Sequence, residues 1–391
     1  MMRLQVRISI GNICAKLGIL LIMMLLLVYM NNAVGNTQYA TGILQVGIAI
    51  TAMALIATIA YKRSIHLSRF LIVAGLLCGF MVIVSCVCNG LTASTIFPYI
   101  LKFNLWLVIY ILGYIAVKHF SCEKFVIFAV CISFAIMTGI FLFALQQDFS
   151  IKNKNYVITA VYYLLCCMPF LFEVKIGKLR NILLAVVVIC VSLSFKRSAL
   201  LVLAVVTLVL VACNLRYTNR KKITYGILGG CVALIALLLF AETFFEENGL
   251  LSDITGIWIG RFGEGNSRNS IQKEAFQMFL RSDIASIILG HGYDAVLQDS
   301  IYSLSAHNDY LEMLYDYGII GFSLYAMVII LLLKEVKRIG TNNHLRREGY
   351  VASLTVFLVA SIPSHMLTYS TYFLLISLYW GFAHGLAAKN E

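Results

Sequence analysis

Charged side chains are scarce in this chain: 12% of its 391 residues, against 61% hydrophobic and a mean hydropathy of +0.90. An ordinary soluble domain carries about twice that share of charge, so a free globular protein is excluded. Also missing is any stretch alternating apolar and polar residues with a period of two, which removes both a soluble sheet and a transmembrane β-barrel. Neither a Cys-x-x-Cys pair nor a His-Glu-x-x-His occurs, and the seven histidines are scattered, so zinc has no support. The eleven cysteines all precede residue 242, mostly inside apolar runs where a thiol behaves as a small hydrophobe. Neither disulfides nor a metal site is expected. No internal repeat and no low-complexity tract is present.

What is abundant is apolar sequence in runs near the length that crosses a hydrocarbon core, about 20 residues each. The expected fold is all-α: a polytopic helical membrane protein of about twelve spans. These are placed roughly at 13 to 34, 40 to 61, 70 to 88, 99 to 117, 125 to 146, 156 to 174, 181 to 195, 198 to 214, 223 to 243, 318 to 333, 350 to 366 and 368 to 388. The last two abut. The first run is long and lacks a convincing small-residue cleavage site, so it is read as a span rather than a signal peptide.

The formal charge of +12 would suggest nucleic acid in a soluble protein. In a membrane protein it is read loop by loop, and no nucleic-acid partner is expected. With the N-terminus inside, cytoplasmic ends and loops collect 21 of the 30 basic residues. Outside the large polar stretch the other face has only Lys102, Lys152, Lys154, Lys196 and Arg197. Both termini are therefore expected in the cytoplasm, with membrane lipids around the spans.

One long segment does not suit a bilayer. Residues 242 to 317 hold twelve of the 18 acids, with Arg261, Arg268, Lys273 and Arg281. The expected organisation is one membrane domain, 1–391, with 242–317 as an extracytoplasmic elaboration between spans nine and ten. A long polar insertion is the default place to look for chemistry.

Lys196 and Arg197 sit on the face where positive charge is rare, at a turn with almost no loop. Side chains that snorkel to headgroups are the plain alternative, but such a pair also suits a phosphate. Arg261 and Arg268 bracket a Gly-rich turn, after which Ile271, Ala275 and Phe279 recur at helical spacing, with Phe276 and Leu280 alongside. This is an amphipathic helix lying against the bilayer or the bundle, with Arg268 in its first turn among free N–H groups. Leu289-Gly290-His291-Gly292 is a turn signal, and His291 is given no role. Ser305 to Glu312 reads as a helix start with Ser305 as N-cap and Asp309 and Glu312 in the first turns. His307 there suits proton transfer or donation to a phosphate oxygen, although a lone histidine is more often structural.

The block His307-Asn308, nine residues, Gly318-Ile319-Ile320-Gly321 resembles the signature of the O-antigen ligase and O-antigen polymerase families. Arg268 with its helix and Leu289-Gly290-x-Gly292 resembles the segment preceding it, and Ser194-Phe195-Lys196-Arg197-Ser198 the basic turn upstream, although relatives often have a Ser-Arg-Gly-like turn. The resemblance implies a glycosyltransferase of the bacterial inner membrane, acting at its outer face on a glycan carried by undecaprenyl diphosphate, with no cofactor and no metal. No Asp-x-Asp pair is present for a metal-bound nucleotide sugar. It implies His307 and Arg268 as catalytic, Arg197, Arg261 and Lys196 as diphosphate-binding, and Asn308, Gly318 and Gly321 as motif positions. The expected activity is polymerisation of O-antigen or capsular repeat units by an inverting transfer. The alternative is ligation to a lipid A core acceptor, and a chain-length regulator is a candidate partner. A flippase or transporter is the reading from another class; it wants ionisable groups inside spans, and the proposed interiors contain no Asp or Glu.

Overall fold

In a computed structural model, residues 2–34, 41–60, 68–90, 93–150, 159–194, 196–217, 268–339, 343–367 and 371–389 are described. Among these residues all regular structure is helical. The first eight helices are α1 (Met2–Val34), α2 (Gly42–Ala60), α3 (Arg69–Cys88), α4 (Ala93–Lys118), α5 (Glu123–Ser150), α6 (Val161–Leu171), α7 (Gly177–Leu193) and α8 (Arg197–Tyr217). After the polar stretch come α9 (Arg268–Arg281), α10 (Ile284–Leu289), α11 (Ala295–Asp299), α12 (Asp309–Ile339), α13 (His344–Ala360) and α14 (Phe373–Lys389).

Among the described residues four helical segments are long and apolar enough to cross a membrane: Ile10–Val34, Arg69–Cys88, Glu123–Gln146 and Asp309–Ile339. Shorter apolar helices lie at Gly42–Thr58, Phe103–Lys118, Val161–Leu171 and Arg197–Cys213. The protein is a helical membrane protein. The expected ninth span, 223 to 243, lies outside the described residues, as does the polar stretch up to residue 267.

Two elements differ from the hydropathy reading. The expected sixth span contracts to the eleven residues of α6, all buried. At about 1.5 Å rise per residue this helix is too short to cross alone. It is apolar on every side because α5, α7, α8, α13 and α14 surround it. The expected eleventh span stops early: α13 ends at Ala360, with Ser361 as its C-cap. Pro363 offers no backbone donor and pushes Ile362 away from helical geometry, so the chain leaves the helix there. A loop therefore separates α13 from α14 where two abutting spans were expected.

The core is centred on α14, in which Phe373 to Leu386 are all buried. It runs against α4 at close range: a Cβ at Gly381 would stand 2.1 Å from the Tyr110 carbonyl oxygen. Only glycine permits that approach. Polar groups inside this crossing are paired. His384 takes Tyr110 at 2.7 Å through Nδ1 and Tyr350 at 2.9 Å through Nε2. At the opposite end of α13 from the Pro363 loop, Arg346 Nε meets Glu173 Oε1 at 3.3 Å, and the Tyr379 hydroxyl donates to the same oxygen.

Candidate active site

Much of the polarity of 268–317 serves to hold that segment together. Glu274 accepts the Ile301 N–H at 2.7 Å and the Ser300 hydroxyl at 3.0 Å. Asp299 takes the Tyr315 hydroxyl at 2.8 Å, and Asp316 the Val296 N–H at 3.2 Å. Asp283 caps α10, accepting the Ala285 and Ser286 N–H groups and the Ser286 hydroxyl, and these donors hold its carboxyl below the usual range. On α9, Ile271 and Ala275 are buried and Phe279 packs beside Ala275, while Phe276 and Leu280 are exposed. His291 stacks on Tyr315 with ring centroids 4.2 Å apart, and its nitrogens meet the Tyr315 carbonyl and the Ser282 hydroxyl. That arrangement is structural.

The chemistry gathers where the chain enters α12. Asn308, not Ser305, is the N-cap: its Oδ1 accepts the N–H groups of Tyr310 and Leu311 at 3.0 and 3.2 Å. His307 precedes it with φ +50°, a left-handed conformation that turns the chain into the helix. Its N–H donates to Glu312 Oε1 at 3.2 Å. The Ser305 hydroxyl instead bonds His365 Nε2 at 3.0 Å.

The two first-turn acids are buried and build the site. Asp309 Oδ2 accepts the Ser361 hydroxyl at 2.9 Å, the Met366 N–H at 2.7 Å and the Leu367 N–H at 2.9 Å. Asp309 N–H in turn donates to the Ser361 carbonyl at 2.9 Å. This one residue folds the Pro363 loop back over the start of α12. Glu312 Oε2 then stands 2.7 Å from His365 Nδ1, a polar contact rather than a well-aligned hydrogen bond. The rings of His307 and His365 lie 4.7 Å apart between centroids.

Both histidines line a cavity of about 280 Å³ with Lys196. Its other walls are Ala33, Thr159, Tyr162, Tyr163, Pro363, Ser364, Thr371 and Tyr372. Tyr162 stacks on Tyr372 with centroids 5.0 Å apart and donates its hydroxyl to Ser198 at 2.7 Å. Tyr163 bonds Thr371, and Ser364 bonds Tyr372. Aromatic faces bordered by hydroxyls offer a sugar ring both contact area and polar partners.

Of the residues singled out in the sequence, His307 and Lys196 come together. Arg197 opens α8, half-buried, and is not among the cavity's lining residues. Arg268 opens α9, but its side chain lies outside what the structure describes, and Arg261 lies wholly outside it. Gly318 breaks α12 at φ +62°, ψ −169°, at the expected start of the tenth span, and Gly321 is buried one turn on. His365, Glu312 and the tyrosines were not read as site residues. Pro363 inside an expected span was the available signal for His365. Among the described residues no group of three His, Cys, Asp or Glu side chains is arranged to hold a metal ion.

No curated protein matches the chain. Residues 182–326 match the family model described as O-antigen ligase. That segment carries the Lys196 turn, α8 to α11, His307 and the Gly318 break, while α1 to α6, His365 and Tyr372 lie outside it. Over residues 182–326, rather more than a third of its length, the chain is thus similar to the O-antigen ligase family.

Proposed function

We propose that this protein is a glycosyltransferase of the bacterial inner membrane. It polymerises O-antigen or capsular repeat units at the outer face, taking a glycan from undecaprenyl diphosphate and passing it to a glycan acceptor. The observation that carries this reading is the meeting of His307 and Lys196, from two separated motifs of the matched segment, in one cavity walled by tyrosines and hydroxyls.

The transfer is a single displacement. The acceptor hydroxyl oxygen bonds to the anomeric carbon as the bond from that carbon to the diphosphate oxygen breaks, which inverts the linkage. The electron pair leaves with the diphosphate. His307 orients the hydroxyl and takes its proton. Lys196, with Arg197, Arg261 and Arg268, supplies positive charge to the leaving diphosphate, the group on which charge develops. The polyprenyl tail lies among the spans, and a chain-length regulator docks on the extracytoplasmic face.

The test is the electrophoretic profile of surface polysaccharide from a deletion strain, with the lipid-linked pool from the same cells. Polymerase activity leaves single repeat units on the core and no long chains. Long chains that accumulate on the carrier and never reach the lipid A core identify a ligase instead. Re-expression of His307→Ala or Arg268→Ala at normal protein level fails to restore the product; restoration by both removes the site assignment.

A further inference from the structure

His365 lies outside the matched segment, yet its surroundings are those of a built site. It is 7% exposed and borders the same cavity as His307. Both ring nitrogens are engaged, Nδ1 at 2.7 Å from Glu312 Oε2 and Nε2 at 3.0 Å from the Ser305 hydroxyl. Glu312 uses its other oxygen for the His307 N–H at 3.2 Å. One buried carboxylate thus fixes the main chain of one histidine and the ring of the other. The loop bearing His365 is clamped by Asp309, one turn before Glu312 on the same helix.

We propose that His365, with Glu312 behind it, is the positioning residue for His307: its ring packs against the neighbouring imidazole at the cavity wall and fixes the orientation in which that imidazole accepts a proton. The charged and titratable groups about His307 are Glu312 and Asp309 of α12, His365, Lys196 of the turn before α8, and the phenols of Tyr162, Tyr163 and Tyr372. This inference rests on the glycan-transfer reading above.

The test uses full-length protein in proteoliposomes, with lipid-linked glycan extracted from the deletion strain as substrate. His365→Phe keeps a ring against His307 and removes the two nitrogens that Glu312 and Ser305 hold. Its kcat is expected to fall about tenfold at a KM within about twofold. Glu312→Gln behaves alike, and the double variant is no worse than the worse single one, because both act through one interaction. A kcat for His365→Phe within twofold of the parent, or losses that multiply in the double variant, overturns the proposal. Should His365→Phe fail to accumulate, Ser305→Ala removes only the Nε2 partner; a lower kcat at unchanged KM supports the proposal, and an unchanged kcat overturns it. A parent protein that transfers nothing takes both readings down. An active parent, an inactive His307→Ala and an unaffected His365→Phe remove this inference alone.

Discussion

Gly290 and Gly318 lie with their backbones against each other. A Cβ on Gly318 would stand 2.7 Å from the Gly290 nitrogen and 2.4 Å from the Ile288 carbonyl oxygen, and one on Gly290 would stand 2.4 Å from Tyr317 Cα. Both have positive φ, 92° and 62° respectively. The Gly-His-Gly turn and the first glycine of the His-Asn block are two halves of one crossing, which the Gly292 N–H extends to the Asp316 carbonyl at 2.8 Å.

Gly290→Ala and Gly318→Ala each combine backbone strain with a clash against main-chain atoms. Each is expected to destabilise the protein by about 3 kcal/mol or more. Thermal unfolding in detergent reads this, and a variant that melts with the parent contradicts the crossing.

Asp309→Ala leaves one buried and one part-buried N–H group and a buried hydroxyl without their acceptor. At about 1–3 kcal/mol for each unsatisfied group, the Pro363 loop should detach from α12. Faster hydrogen exchange over 361 to 367, with transfer lost, is the expected outcome. Protection equal to the parent's would show that Asp309 is not the clamp.

Asn308→Ala removes an N-cap and should cost about 1 kcal/mol, whereas Asn308→Ser, which keeps an acceptor, should cost a few tenths, about 0.3 kcal/mol. Equal melting temperatures for the two variants would move the capping role elsewhere.

Lys196 and Arg197 are adjacent but placed differently, since only the lysine is among the cavity's lining residues. Lys196→Ala is expected to lower kcat/KM about tenfold or more, and Arg197→Ala by less than about threefold, because of the two only the lysine borders the cavity. The reverse order would put the arginine at the diphosphate.

Arg346→Ala strands the Glu173 carboxylate in a buried site, at a cost of about 3–5 kcal/mol, while adding Glu173→Gln returns part of it. Unfolding of the parent, the two single variants and the double variant completes the cycle. Simple additivity would show that the pair is not coupled.

The membrane class, the helical fold and the His307 block follow from the sequence alone, because apolar length and local motif spacing are properties of short stretches of chain. The N-cap did not: Ser305 and Asn308 are both good capping residues, and the choice fell to Asn308 once Ser305 was drawn to His365. Acid concentration marked the polar segment as chemical, yet Glu274, Asp299 and Asp316 serve as acceptors for its own backbone and hydroxyls. Hydropathy cannot tell a carboxylate that waits for substrate from one that ends a loop.

What only the tertiary structure decided is which distant residues meet. His365 and Tyr372 lie more than 50 residues beyond His307, in or just after an apolar run, and nothing local distinguishes them from span filling. They reach the cavity because Pro363 ends α13 and Asp309 captures the N–H groups that a longer helix would have bonded internally. The sequence by itself determined that the chain is a membrane-spanning bundle of helices with His307 at the start of one of them. The company His307 keeps was set by folding, through pairings of high sequence separation that no local pattern encodes.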